Sequence, residues 1–351
     1  MTTLRYLGWE GYADGDFPSS LRAATGLNIG GENHVSDDLA CRKLMGDPGC
    51  WDIININTPF VRDTLDPAGF IHSLPEALGS QPSDPFERFA AAARGSGGNV
   101  IGVPQRCGPF NLVINQDTLS PALAREQGFK LTLRSDFHRR FGILSYDDFN
   151  VMHVAIAADL NPFAAFDDAA FAVFSETARA IYRSAQMITT DHDLLNRALI
   201  DGDIDFYISG GTYTASPARL AGRLEVRAIT PDSGPIEGKG GVAFVEINAL
   251  VHHDVVPSEA GLSFLTFISS DDGAIAASLA AGACNPVVQM HTSRVRGRFS
   301  RDQLLAMQWD DLEEDLSHCA DYAIMPDYQR LRGILRRTAA SQSELALRST
   351  D

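Results

Sequence analysis

The sequence predicts an α/β fold with mostly parallel sheets, and three observations support this fold class. Apolar segments alternate with helical segments in a β-α-β-α-β rhythm between Leu4 and Asn55, which is typical of parallel sheets flanked by helices. Glycine or capping residues bound the predicted helices. The 351 residues, 44% of them hydrophobic, suffice for two medium-sized domains with buried cores.

The first part of the chain contains three predicted strands and two predicted helices. The strands are Leu4–Trp9, Leu27–Ile29 and Trp51–Asn55. One helix is predicted at Phe17–Thr25, closed by Gly26, and another runs from an N-cap at Ser36 to Met45.

The remaining elements follow from the same apolar periodicities. Strands are predicted at Val100–Pro104, Leu112–Asn115, Phe141–Leu144, Phe206–Ser209, Glu225–Ala228 and Gly241–Val245, with a turn between the first two. Helices are predicted at Val151–Ala158, Ala169–Ala185, Leu194–Asp201, Glu259–Ser269, Gly273–Ala281 and Tyr328–Arg337. The polar end of the chain, Ser341–Asp351, is expected to be frayed.

The charge of the chain restricts its partners. A net charge of −16 argues against a nucleic-acid partner, because a phosphate backbone requires a basic surface. The same charge is compatible with a cationic ligand. No apolar run is long enough to span a bilayer, and the N-terminus carries no secretory signal. The chain is therefore either a mature periplasmic protein without its signal or a cytoplasmic protein.

The cysteines and histidines give no indication of a metal site or a cofactor. The five cysteines are odd in number and form no Cys-x-x-Cys pair, so most are expected to be buried thiols. A Cys41–Cys50 disulfide is an alternative if the protein is periplasmic. The run from His252 to Asp254 lacks a spaced third ligand, so metal binding is not expected.

The order of several short motifs resembles the spermidine/putrescine-type solute-binding proteins of ABC transporters. The matching segments are Gly8-Trp9-Glu10-Gly11-Tyr12, Thr25-Gly26-Leu27, Ser36-Asp37-Asp38, Trp51-Asp52-Ile53-Ile54, Ile101-Gly102-Val103-Pro104, Leu199 to Asp205, and Ala260 to Ile275. The resemblance extends from about Leu4 to Pro286.

This resemblance implies a two-lobed type II periplasmic-binding-protein fold. Lobe 1 would comprise 1–109 plus 241–290, and lobe 2 would comprise 110–240 plus 291–351, including the C-terminal helices. A small ligand would bind in the interlobe cleft and close the hinge, and the closed protein would dock on a membrane permease. A periplasmic monomer is expected.

Polyamine recognition requires carboxylates for the ammonium groups and aromatic faces for the methylenes. Trp9, Glu10 and Tyr12 supply both on the loop after the first strand, where α/β proteins bind ligands. The resemblance adds further ligand positions: Asn57, Pro59, Phe60, Asp147, Asn150, Ser209, Phe244 and Glu246. Each has a structural alternative, such as core packing for Trp9 and Tyr12, a solvated loop for Glu10, or helix capping for Asp147.

Arg106 departs from the pattern of the polyamine binders, which carry a neutral residue there. An arginine at this position would repel a polyamine and attract a carboxylate or phosphate. The ligand is therefore predicted to be a small cationic amine, or else a zwitterionic or carboxylate-bearing solute held partly by Arg106. A surface ion pair is a further interpretation of Arg106.

The sequence does not favour an enzyme. Gly238-Lys239-Gly240-Gly241 lacks the spacing of a P-loop, and neither Gly-x-Gly-x-x-Gly nor Gly-x-Ser-x-Gly occurs. His192, between Asp191 and Asp193, fits a surface helix start better than acid–base catalysis. An enzyme or a cytoplasmic ligand sensor on the same two-lobed scaffold remains an alternative hypothesis.

Overall fold

A computed structural model describes residues 2–13, 15–79, 82–83, 85–253 and 257–348, with side chains up to residue 341. The strands are β1 Thr3–Gly8, β2 Asn28–Asn33, β3 Ile53–Asn57, β4 Val103–Asn115, β5 Phe141–Leu144, β6 Met187–Thr189, β7 Phe206–Gly211, β8 Val226–Ile229, β9 Gly241–Leu250 and β10 Cys319–Asp321.

Helices and short 3-10 turns connect these strands. The helices are α1 Phe17–Thr25, α2 Asp37–Gly46, α3 Thr58–Phe60, α4 Pro121–Gln127, α5 Asp147–Ala157, α6 Asp168–Ser184, α7 His192–Asp201, α8 Thr212–Leu220, α9 Glu259–Ser269, α10 Asp271–Ser278, α11 Ser293–Arg296, α12 Arg301–Ala306, α13 Leu312–Ser317 and α14 Tyr328–Arg348. Within the described ranges, no helix combines the length and the apolar character that a membrane crossing would need.

The chain divides into two compact units, each made of two segments. The first unit contains 1–108 and 244–313, and the second contains 109–243 and 314–351. The predicted lobes have similar boundaries, except that 291–313 was expected in lobe 2 and lies in the first unit. β4 and β9 each pass from one unit into the other.

The first unit is built on a sheet in which β1 lies between β2 and β3. Both pairings of β1 are parallel, and β3 also pairs antiparallel with the end of β9, with Asn57 opposite Glu246. α1 packs on α9 and α10. Their apolar faces bury Tyr6, Tyr12, Phe17 and Phe264 in one core cluster. Tyr12 belongs to the loop after β1, so this loop is fixed to the core.

The strands of the second unit have their own pairing pattern. β5 pairs in parallel with β6 and β7, while β4 runs antiparallel to β7 and β8. β10 adds in parallel to the first residues of β9. α5, α6 and α14 pack together in this unit. α5 is buried from Asp148 to Ala157, which makes it the central helix of that layer.

Most of the predicted elements are present, and two local predictions are exact. α1 ends in a left-handed Gly26, and Ser36 accepts a hydrogen bond from the Leu39 amide as the N-cap of α2. Two predictions are wrong. No turn separates the strands expected around residues 100–115, because β4 is continuous, and Gly108 and Pro109 mark its passage between units. The polar C-terminal end is helical as far as Arg348, whereas fraying was predicted.

Gly31 in β2 allows a close approach to β1 and provides a stability test. A Cβ atom at Gly31 would lie 1.7 Å from the Tyr6 carbonyl oxygen, whereas one at Gly30 would come no closer than 3.7 Å, to Thr3. Gly31→Ala should therefore lower the free energy of unfolding by about 2–3 kcal/mol because backbone must shift, and Gly30→Ala should change it much less. Equal losses in urea denaturation of the two variants would contradict the assigned register.

Candidate functional site

The loop after β1 and the carboxyl end of β3 form a network of buried polar side chains in the first unit. Asp37, at the start of α2, accepts hydrogen bonds from Trp9 Nε1 at 3.1 Å and from the Asn57 amide at 3.2 Å. Asn57 Nδ2 donates to the other carboxylate oxygen of Asp37 at 2.6 Å. The sequence predicted that the Trp9 ring faces a ligand. Its indole nitrogen instead binds Asp37 within the unit, and the side chain is only 8% exposed.

His34 and Asn55 extend this network beneath Trp9. The rings of Trp9 and His34 lie 4.7 Å apart, and the Trp9 amide donates to Asn55 Oδ1 at 3.3 Å. His34 Nε2 lies 2.9 Å from the Asn55 carbonyl oxygen, so this nitrogen is the donor. Burial lowers the pKa of His34 to about 4, so the ring is neutral at physiological pH.

Arg106 and Glu246 form a buried ion pair in the same unit. Arg106 Nε lies 3.4 Å from Glu246 Oε2, and both side chains are less than one-tenth exposed. Arg106 Nη2 donates to the Glu10 carbonyl oxygen at 3.0 Å. The guanidinium carbon lies 3.9 Å from the centre of the Tyr12 ring, so an aromatic face supports the cation.

The charges of this pair balance each other in a low-dielectric setting. Burial disfavours the charged form of Arg106, but Glu246 and Tyr12 outweigh it and raise the pKa of Arg106. Burial raises the pKa of Glu246, and the positive charge of Arg106 opposes that shift. A carboxylate inside a buried strand needs a partner, and Arg106 supplies one for Glu246.

Several buried polar atoms around these groups have no hydrogen-bond partner among the described residues. They are His34 Nδ1, Asn55 Nδ2, Asn57 Oδ1 and Asn248 Nδ2, together with Arg106 Nε and Glu246 Oε2, which face each other at 3.4 Å in the ion pair. Buried polar atoms in native proteins are nearly always satisfied, so unsatisfied groups concentrated in one region require an explanation such as bound water or a ligand. The set contains both donors and acceptors, and it can therefore hold a polar solute.

The remaining predicted residues of the first unit lie close to this network in sequence or in the fold. Tyr12 is fully buried and donates through its hydroxyl to Gln105 Oε1 at 2.9 Å, so it supports Arg106 from the core side. Phe60, in α3, and Phe244, in β9, are both 7% exposed. The side chain of Glu10 is on the surface.

Ser209 lies inside the second unit, in a network of its own. Its hydroxyl donates to Asn150 Oδ1 at 2.6 Å, and His153 Nδ1 lies 3.0 Å from the Ser209 hydroxyl oxygen. Ser209 is fully buried, and its φ of 68° is unusual for a residue other than glycine. The Ser209 side chain already has two hydrogen-bond partners inside the unit. Burial lowers the pKa of His153 to about 3, so its ring is neutral at physiological pH.

Asp147 is the first residue of α5 and pairs with the C-terminal helix. Its Oδ2 lies 2.7 Å from Arg332 Nε and 2.8 Å from Arg336 Nη2. The N-cap of α5 is Tyr146, so the capping alternative for Asp147 is not observed. Two arginines already neutralise this carboxylate, so it would attract an ammonium group less strongly than an unpaired carboxylate would.

Sequence reasoning did not single out His34, Asn55, Asn248 or Asp37 as site residues. Asn55 and Asn57 alternate on β3, and Glu246 and Asn248 alternate on β9. Polar residues at a spacing of two inside a buried strand lie on one face and need partners. That spacing was the available signal for Asn55 and Asn248, whereas nothing comparable marked His34 or Asp37.

The described residues contain no group of three or more acidic, histidine or cysteine side chains placed to hold a metal ion. All five cysteines, including Cys41 and Cys50, are free. The proposed Cys41–Cys50 disulfide is therefore not formed. Asp254, which follows His252 and His253, lies outside the described residues.

Comparison by sequence finds no match: no protein-family model and no curated protein matches this chain. Comparison by structure finds substrate-binding proteins. The chain is similar to the spermidine/putrescine ABC transporter substrate-binding protein PotD from Streptococcus pneumoniae, with a TM-score of 0.64 at 11% identity, over 97% of this chain and all of that one.

Two further solved structures show the same likeness. One is the TpPotD lipoprotein of Treponema pallidum, with a TM-score of 0.68 at 9% identity over 96% and 99% of the two chains. The other is the binding protein MotA from A. tumefaciens in complex with glucopine, with a TM-score of 0.64 at 12% identity over 97% and 100%. The chain therefore has the two-lobed type II periplasmic-binding-protein fold, as predicted.

Proposed function

We propose that this protein is the substrate-binding component of an ABC importer and captures a small amine-bearing solute. The observation that carries the proposal is the buried polar network of the first unit. In it, His34, Asn55, Asn57 and Asn248 each keep a polar atom without a hydrogen-bond partner among the described residues, beside the Arg106–Glu246 ion pair. The fold and its solved relatives, among them spermidine/putrescine and glucopine binders, support a binding role rather than catalysis.

The charge balance in the first unit favours a zwitterion over a polyamine. A polyamine would need uncompensated carboxylates, but Glu246 is paired with Arg106, and Asp147 is paired with Arg332 and Arg336. A ligand carrying both an ammonium and a carboxylate group could satisfy Glu246 and Arg106 without leaving a net charge buried. Polyamine binding remains the second candidate, supported by the acidic net charge of −16.

Trp9 and Tyr12 contribute to this function through position rather than through exposed ring faces. Trp9 Nε1 is bound to Asp37, and Tyr12 lies under the Arg106 guanidinium. Both rings hold polar groups in a fixed arrangement, and pre-organisation lowers the cost of binding. In the cell, the protein is proposed to act outside the cytoplasm as a monomer that delivers its ligand to a membrane permease.

A thermal-shift screen tests the ligand class. Polyamines, betaines, amino acids and simple carboxylic acids should be compared, and the true ligand should stabilise the protein by about 2.7 kcal/mol at 100 times its Kd. Glu246→Gln should abolish the shift given by an amino acid, measured against the unliganded melting temperature of the same variant.

Asp136→Asn is the matched control for Glu246→Gln, because Asp136 is an exposed acid in the second unit and the change in charge is the same. This variant should keep the full ligand shift. A panel in which only polyamines produce a shift would favour the second candidate. A panel without any shift would contradict the proposed function.

A further inference from the structure

A groove on the second unit is lined by three arginines and belongs to none of the sites described above. It lies at the packed pair α6 and α14 and encloses about 400 Å³. Arg179 and Arg183 enter it from α6, and Arg337 enters it from α14. Among the side chains described up to residue 341, none that lines the groove is acidic.

The arginines of the groove differ from their neighbours on the same helices in their ion pairing. Arg330 pairs with Asp168, and both Arg332 and Arg336 pair with Asp147. Among the side chains that the structure describes, no carboxylate lies within 4.0 Å of the charged nitrogens of Arg179, Arg183 or Arg337.

The helix geometry holds the arginines together. Arg179 and Arg183 are one turn apart on α6 and therefore project from the same face. Arg183 Nε donates to the Arg179 carbonyl oxygen at 3.2 Å, which orients its guanidinium and leaves its terminal nitrogens as donors. Ser175, one turn before Arg179, adds a hydroxyl donor to the same wall.

The three arginines are exposed, so solvent and salt weaken their mutual repulsion, and a bound anion would remove the remainder. In a chain with a net charge of −16, such a concentration of positive charge also stands out from its surroundings. A guanidinium binds phosphate oxygens through paired, parallel hydrogen bonds. The volume of the groove exceeds the space that a single phosphate needs.

From these observations we infer that the groove between α6 and α14 binds a small polyanion that carries phosphate groups. This site goes beyond the proposed solute-binding function and does not depend on it. A free polyphosphate and a nucleotide present the same chemistry, so either source of phosphate would fit.

Isothermal titration calorimetry of the full chain with pyrophosphate and with adenosine diphosphate tests the inference. Binding should be measurable at low ionic strength and should weaken as salt is added. Arg183→Ala and Arg337→Ala should each reduce the affinity at least tenfold. Arg183→Lys should give a smaller loss, because lysine keeps the positive charge but lacks the paired, planar donors of a guanidinium.

Arg301→Ala is the matched control, since Arg301 is an exposed arginine on α12 in the first unit and its loss changes the charge equally. Its affinity should stay within twofold of the parent protein. Binding of either pyrophosphate or the nucleotide supports the site, and binding of neither overturns it. An equal loss in Arg301→Ala would also overturn it, because net charge alone would then explain the binding.

Discussion

Replacing Glu246 by alanine is expected to lower the free energy of unfolding by about 3–5 kcal/mol, because it leaves Arg106 buried without its counter-ion. Both side chains are less than one-tenth exposed, so water cannot compensate the charge. Urea denaturation at neutral pH would measure the loss. Glu10→Ala, which removes a carboxylate at the surface of the neighbouring loop, is the control and should cost far less.

A double variant separates a buried charge from a general loss of packing. Arg106→Met combined with Glu246→Leu removes both charges and keeps most of the apolar volume, so it should recover much of the stability lost by Glu246→Ala. If Glu246→Ala proved as stable as Glu10→Ala, the buried ion pair would not exist in solution.

Acid should destabilise the protein through its buried neutral histidines. Burial lowers the pKa of His153 to about 3 and that of His34 to about 4, whereas an unfolded histidine titrates near 6.5. Below pH 6.5 the unfolded chain therefore binds protons that the folded chain does not. Each histidine should remove about 1.4 kcal/mol of stability per pH unit between about pH 6 and pH 4.5, and the full contribution should be present above pH 6.5.

His153→Gln isolates one of these contributions. Glutamine does not titrate, and it can still donate a hydrogen bond towards Ser209, which lies 3.0 Å from His153 Nδ1. The dependence of unfolding free energy on pH should therefore become shallower in this variant. His138 is exposed, and His138→Gln should leave the slope unchanged. Identical slopes in all three proteins would show that His153 binds its proton equally well in the folded and unfolded states, which would contradict the lowered pKa.

Both predictions concern polar side chains that are buried away from water. The Arg106–Glu246 pair belongs to the first unit, and the His153–Ser209–Asn150 group belongs to the second. Such groups reduce stability relative to apolar packing, so their presence in both units is consistent with a requirement to recognise a polar solute.

The local features of this protein could be predicted from the sequence because they depend on neighbouring residues. The Gly26 terminus of α1 and the Ser36 N-cap of α2 each involve hydrogen bonds within four residues. The α/β class followed from apolar periodicity, which records the face that each element buries. Four of the residues that the sequence suggested as ligand positions, Trp9, Asn57, Arg106 and Glu246, lie in or next to the polar network of the first unit, and their role in binding stays a prediction.

Only the tertiary structure decided the partners of these residues. Arg106 and Glu246 are 140 positions apart, and they meet because β9 returns beside β3 in a register that places Glu246 opposite Asn57. The continuity of β4 through Gly108 and Pro109, and the pairing of Asp147 with Arg332, likewise depend on the path of the chain between units. Residue types and spacing encode caps and faces, whereas strand register and helix packing determine which distant charges neutralise each other.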